Sequence, residues 1–365
     1  MRPPIWPTAN SLVLCAEGKS PADAFPYRPY HPWNYETWAR QHPTPPPPPP
    51  GGAKPAAIKR RVEWLLGEGP DYAPVKTKWG EGESDEMAKL LNRGEPAHLK
   101  CRFGDLNGNF YYPPGTSWTG DRPSGALAKQ RPAIIWLSPL HCPTGYTPGY
   151  RTGDIPYIRL AKAGYIVFAF DPVGTGSRQE ERRNFYERHP AWSLMGQMVL
   201  DARHAIDAVL ANPDVDRSRI SLVGFGMGGM VAVLGAALDE RVHAVVSAAG
   251  FTAFRRDTDA AGTGGIRRWS HLTGWLPRLG TYVGQEANVP VDFPEILSTI
   301  APRPVLVVAP TLDWHFPQPS VAWTVEAARE SAPSGRDTLT LYSPPALAEF
   351  NNPIQDQVAQ FLASH

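Results

Sequence analysis

Cysteine is scarce. Cys15, Cys101 and Cys142 are the only three in 365 residues, and so low and odd a count excludes a disulfide scaffold. No apolar run approaches the ~18 residues that a membrane span needs, so no membrane partner is expected. A charge excess is also missing: 36 basic against 35 acidic side chains leave a formal +1, which calls for neither nucleic acid nor an anionic lipid surface. His, Cys and Asp nowhere cluster at ligand spacing, so no metal and no cofactor are expected. The opening stretch carries only a short apolar patch, Ser11 to Ala16, below the ~7–15 residues of a secretory core. The expectation is a cytoplasmic protein, the alternative a secreted one whose leader has been removed.

Proline is abundant. Of 41 prolines, 14 fall in the first 50 residues, ending in Pro45–Pro50 and Gly51-Gly52. Six consecutive prolines hold a polyproline II rod without ladder donors, so residues 1–55 read as an arm. It is either a spacer or a strap that buries Tyr27, Tyr30, Trp33, Tyr35 and Trp38; docking to the aromatic groove of a protein partner is a further reading. Twelve tryptophans suit stacking on sugars, although most tryptophans in globular chains fill the core.

Residues 56–67 place Ile58, Val62, Leu65 and Leu66 on one helical stripe closed by Gly67, and a second short helix is expected at Asp85–Asn92. From residue 97 the pattern changes. Leu99–Phe103 and Asn109–Tyr112 read as an antiparallel pair joined through Gly104–Gly108. Unbroken apolar runs then alternate with helical patterns: strands at Ala133–Leu137, Tyr165–Phe170, Ile220–Val223, Val242–Ser247, Val305–Ala309 and Thr338–Tyr342. The helices fall at Tyr157–Ala163, Leu194–Val209, Met227–Leu238, Val321–Arg329 and Ile354–Leu362. Continuous runs mean strands covered on both faces. The expected fold is α/β, a mostly parallel doubly wound sheet with an antiparallel start. The expected division is an arm at 1–55, a helical extension at 56–96 and the main domain at 97–365. Within that domain, residues 251–288 would lie as a lid-like insertion over the carboxyl ends of the strands, where such sheets bind ligands.

Residues 219–229 read Arg-Ile-Ser-Leu-Val-Gly-Phe-Gly-Met-Gly-Gly: strand, tight turn, helix. Strand–GxSxG–helix is the nucleophile elbow, and Gly224 and Gly228 stand where its glycines belong. Further motifs follow in order. Trp136-Leu137-Ser138-Pro139 with Thr144-Gly145-Tyr146 matches an oxyanion loop, and Asp171-Pro172-Val173-Gly174-Thr175-Gly176-Ser177-Arg178 the loop after the next strand. Ala301–Val308 leading to Asp313 matches the strand that carries a triad acid. From residue 97 onward the chain resembles an α/β-hydrolase of the dienelactone hydrolase and acetyl xylan esterase type. The resemblance implies a carboxylic-ester substrate, small or carried on a carbohydrate. It also implies oxyanion donors near Met227 and Leu140, and a substrate surface including His141, Tyr146, Trp269 and Trp314.

The resemblance also exposes two departures. Gly226 occupies the nucleophile position, and Ala348, in Pro344–Asn351, occupies the histidine position; no histidine lies between His315 and His365. A serine triad needs a hydroxyl to attack and an imidazole to take its proton. Only the acid, Asp313, remains. Three readings stay open: a hydrolase-derived pseudoenzyme that binds a ligand or partner; an active hydrolase using Asp313 with His315 as an alternative base; and an esterase inactivated deliberately. A thiolate from Cys142 beside His141 is weaker, since a lone Cys is usually filler. In the insertion, Arg255, Arg256, Arg267, Arg268 and Arg278 with Trp269, His271 and Trp275 suit an acidic sugar or a carboxylated aromatic. Alternatively these arginines pair at the surface with Asp257, Asp259 and Glu286. Arg178, Arg182 and Arg183 beside Glu180 and Glu181 read as a solvated turn.

Overall fold

The apolar runs become the centre of one sheet. In a computed structural model, residues 54–80, 95–116, 118–119, 122–123, 130–141, 144–147, 153–332 and 337–365 are described. The proline-rich arm, the helix expected at 85–92, Cys15 and Cys142 lie outside them. Nine strands pair: β1 (Thr77–Trp79), β2 (Ala97–Phe103), β3 (Leu106–Tyr112), β4 (Arg131–Leu137), β5 (Ile166–Phe170), β6 (Val215–Phe225), β7 (Ala244–Ala248), β8 (Val305–Val308) and β9 (Leu339–Tyr342). Their order is β1-β2-β3-β5-β4-β6-β7-β8-β9. The first three steps are antiparallel and every later one is parallel. Every residue of β5, β7 and β8 is buried, as two-sided helix cover requires. The opening pair is tighter than its sequence implies: both strands extend to a Phe103–Leu106 register, and Gly104, at φ 56°, takes the left-handed turn.

Among the described residues the α-helices longer than four residues are α1 (Pro55–Leu66), α2 (Pro156–Lys162), α3 (Leu194–Leu210), α4 (Met227–Leu238), α5 (Phe293–Ile300), α6 (Gln318–Ser331) and α7 (Asn352–Ser364). On α3 the stripe Leu194, Met198, Ala202, Ile206 and Val209 is buried. Ser193 caps its N-terminus by accepting from Gly196 N at 2.9 Å while donating to Leu66 O at the end of α1. α1 buries Ile58, Val62, Leu65 and Leu66 and packs on α3, α4 and α5. α5 has a readable start signal that the periodicity alone does not single out: Asp292 and Glu295 form a reciprocal capping box.

Residues 251–288 form a chain of short 3₁₀ and π turns. Arg278 donates to Trp64 O and pairs with Glu68 at 3.3 Å, tying this segment to the end of α1. One charge assignment is overturned. Arg178 is buried, bonding Asp201 at 2.7 Å and Glu181 at 2.6 Å. Asp201 lies 23 positions away on α3, so the run of charges around Arg178 gave no hint of a buried partner.

Candidate active site

β6 ends, the chain bends at Gly226, and α4 begins. Gly226 has φ 57° and ψ −125°, a sparsely populated region that L side chains occupy only under constraint. The bend is held by Gly226 N donating to Ala248 O at 2.9 Å, and by Gly229 N donating to Gly226 O at 2.9 Å. Backbone crowds the glycines on either side. A Cβ on Gly224 would come under 3.0 Å from Gly228 O, and one on Gly228 under 3.0 Å from Leu137 O. At Gly226 itself a Cβ meets only Pro139 Cβ, at 3.3 Å. The geometry therefore demands glycine at 224 and 228 and leaves room for a side chain at 226, where there is none.

The loop after β4 crosses this bend through Pro139 and half-buried Leu140. The first N–H groups of α4, Met227 among them, have no acceptor within their own helix. A cavity of about 20 Å³ lies behind them, lined by Ser138, Met198, Asp201, Met227 and Gly228. Beyond it Asp171, which the sequence reading left without a role, locks two loops together. Its Oδ1 accepts from Tyr146 N at 3.0 Å, and its Oδ2 from Ser177 N and Oγ at 2.8 Å. A side chain on Gly145 or Gly176 would strike this carboxylate; that glycine pair was the signal that could have found it.

Asp313 sits past β8, 4% exposed. Its Oδ1 accepts from the backbone N–H of His315 at 2.8 Å and of Phe316 at 3.2 Å. Its Oδ2 is buried with no hydrogen-bond partner among the described residues. Beside it, Arg268 donates to His315 O at 2.7 Å and to Asp257 at 2.8 Å. The loop carrying Ala348 runs alongside, with Leu312 N donating to Ala346 O at 3.0 Å. Ala348 is exposed, and Phe350 packs on Phe225, one residue before the bend, at 5.8 Å between centroids.

The remaining expected site residues are divided between surface and interior. The His315 ring lies on Trp314 at 3.6 Å, and burial lowers the imidazole pKa below its ordinary value, Asp313 opposing and Arg268 reinforcing. The bond between Asp313 and His315 thus runs to the backbone rather than to the ring. Trp314 is 67% exposed. His141 is half-buried with its pKa lowered by desolvation. Trp269 is buried and stacks on Phe316 at 6.0 Å, and the Tyr146 hydroxyl bonds Asn109 and Tyr111 inside the domain. Of the insertion arginines, Arg268 pairs with Asp257 in the interior and Arg267 with Asp259 at the surface. Arg255 pairs with Glu295, and Arg256 lies over the Trp323 ring. Glu286 accepts from Gly284 N. With Arg278 on Glu68, four of the five arginines are thus held by carboxylates, two of them within the insertion. Among the described residues no group of three His, Cys, Asp or Glu side chains could hold a metal ion, and no helix is long and apolar enough to cross a membrane.

A family profile described as "Dienelactone hydrolase family" matches residues 148–334. The chain belongs to the dienelactone hydrolase family. Family membership fixes the α/β-hydrolase fold and the broad class, carboxylic-ester hydrolases. One similar curated protein is 4-O-methyl-glucuronoyl methylesterase of Hypocrea jecorina, 28% identical over 64% of this chain and 53% of that protein. The chain thus matches about half the length of this relative. Among solved structures, the glucuronoyl esterase of Solibacter usitatus has a TM-score of 0.65 at 15% identity, over 89% of this chain and 99% of that one. Acetyl xylan esterase 1 of Thermoanaerobacterium sp. has a TM-score of 0.56 at 18% identity, over 90% and 98%. At such identities the likeness is one of fold.

Proposed function

We propose that the chain is a catalytically impaired member of this ester-hydrolase family that binds a small or carbohydrate ester without cleaving it. One observation carries the reading. The bend at Gly226 keeps the backbone geometry and the free space for a nucleophile, but presents only a hydrogen. Asp313 agrees with the acid position: its Oδ2 is buried with no partner among the described residues, as expected of a triad carboxylate whose imidazole is missing. In this reading residues 97–365 are the hydrolase unit, and Ala348 fills the vacant base position. The backbone N–H groups of Met227 and Leu140 receive the ester carbonyl oxygen, and exposed Trp314 with His141 faces the ligand. A carbohydrate ester is favoured by the names of the similar proteins, which are esterases of glucuronoyl and acetylated xylan groups.

The test compares the wild type with Gly226→Ser, Ala348→His and the double variant on acetyl and glucuronoyl methyl esters. The wild type is expected to show no turnover above background, each single variant little, and the double variant clear hydrolysis. Removal of one triad member alone already costs most of the rate. Wild-type turnover that disappears in Asp313→Asn would overturn the proposal in favour of water activation by Asp313 with His315.

A further inference from the structure

The formal total of +1 conceals an uneven surface. Where the sheet opens antiparallel, Ala97, Leu99, Cys101 and Phe103 of β2 turn into the core, which leaves Lys100 and Arg102 exposed on the outer face. The exposed residue of β1 is Lys78, directly opposite Arg102. On β3, Asn107 stands opposite Arg102 and Asn109 opposite Lys100. Directly opposed residues share a face, so one row reads Lys78–Arg102–Asn107 and the next Lys100–Asn109. With strands about 4.7–4.9 Å apart and successive rows about 6.6–6.8 Å apart, three cations lie side by side, and exposed Lys76 leads into them. Among the described residues no carboxylate pairs with Lys76, Lys78 or Lys100, and Arg102 reaches only Asp105, at 3.3 Å on the open surface.

Like charges directly opposite one another disfavour a strand pair. Lysine on an edge strand deters pairing with another chain, which accounts for Lys78 on β1. β2 is paired on both sides, so Lys100 and Arg102 guard no edge. An anion laid across the strands relieves their repulsion. The strip also has a direction. Gly108 and Asn109 pair with Phe170 and Ala169 at the carboxyl end of β5, the end of the parallel strands that carries Gly226 and Asp313. Asn109 donates to the Tyr146 hydroxyl at 2.8 Å, and Tyr146 follows β4 in the same loop that crosses the bend.

We propose that this strip docks an acidic polysaccharide, a chain of uronate sugars whose carboxylates lie on Lys78, Lys100 and Arg102, and leads it toward the ester site. Guanidinium and ammonium groups suit carboxylates, and the asparagine amides suit sugar hydroxyls. A nucleic acid fits less well, because the two rows offer no aromatic ring for a base to stack on. The docking stands on the charge pattern; its link to the ester site rests on the carbohydrate-ester reading above.

The probe is sodium polygalacturonate, with dextran as the neutral control. Calorimetric titration of the wild-type chain is expected to show saturable binding of the polyuronate alone, weakened about tenfold between about 50 and 200 mM salt. Lys78→Gln with Lys100→Gln and Arg102→Gln is expected to weaken it by about tenfold or more. Removing the same charge from exposed positions elsewhere, by Lys54→Gln with Arg60→Gln and Arg217→Gln, should change it by less than about twofold. Lys78→Arg with Lys100→Arg should retain binding, which separates lost charge from a damaged strand. No binding by the wild type, as neutralisation by the nearby acidic run Glu81, Glu83, Asp85 and Glu86 would give, overturns the proposal. Equal losses in the two triple variants, or a DNA duplex bound as tightly as the polyuronate, do the same. For the link, Gly226→Ser with Ala348→His is assayed on partly methyl-esterified polygalacturonate and on 4-nitrophenyl acetate. Adding the three strip changes is expected to raise KM severalfold on the polymer and to leave the small ester untouched. An active double variant whose KM ignores the strip sinks the link and spares the ester-site reading. Polyuronate binding with an inactive double variant sinks the ester-site reading and spares the strip.

Discussion

Adding one carbon at three successive alternate positions of the bend separates backbone demand from lost chemistry. Gly226→Ala places a Cβ in a positive-φ conformation that costs roughly 1–3 kcal/mol, while the stiffer unfolded chain returns about 0.4–1 kcal/mol. The one neighbour it meets, Pro139 Cβ at 3.3 Å, is a side-chain atom that needs to give only slightly. A net loss of about 1–2 kcal/mol follows from these terms. Gly224→Ala and Gly228→Ala differ in kind. Each new Cβ falls under 3.0 Å from a carbonyl oxygen, Gly228 O or Leu137 O, on the first turn of α4 or the end of β4. Relief requires moving the elbow itself, so losses beyond about 4 kcal/mol are expected, the range reserved for such disruption. Urea unfolding followed by circular dichroism, with midpoints compared at constant slope, measures all three. Equal losses at 224, 226 and 228, or a tolerated Gly228→Ala, would refute the claim that position 226 alone is open to a side chain.

Two further expectations concern charge. Arg178→Met strands Asp201 without its cation in the interior and is expected to cost about 3–5 kcal/mol. Arg183→Ala, which breaks an exposed pair with Glu180, should stay within about 0.5 kcal/mol; similar losses in both by urea unfolding would mean that the Arg178 pair is solvated after all. His204 has its pKa lowered below its ordinary 6.5, chiefly by desolvation. Its folded form therefore resists the proton that the unfolded chain accepts, and its contribution to stability is present above pH 6.5 and lost as the pH falls below it. Asp292, pushed up to about 6 by burial, works in the opposite sense, its contribution being lost as the pH rises through about 6. His204→Gln should accordingly flatten the acid side of a stability profile from pH 7.5 to 5.5; an unchanged slope would refute the assignment.

The central strands were legible because burial on both faces leaves no charged residue inside β5, β7 or β8 to interrupt them, and α4 was read with both of its ends. Edges were not. β1 is three residues paired on one side only, too short for any period to register. α5 escaped because its eight residues follow an irregular segment, although Asp292 and Glu295 announced its start. Gly226 could be placed by the glycines around it, since a sharp bend constrains its immediate neighbours in the chain. Asp313 could be named from its strand, but the emptiness at its Oδ2 could not. That depends on Arg268 and the 344–348 loop, which reach it from 45 residues before and about 30 after. A separation of 23 residues likewise hid the Arg178–Asp201 pair.

α1 precedes the hydrolase sheet in the chain, yet Ile58, Val62, Leu65 and Leu66 seal the seam between α3, α4 and α5. Trimming the protein back to residue 97 would strip an oily cleft bare on the helix that follows the elbow. A shortened version cut there would be expected to come out of solution, whatever it does with esters.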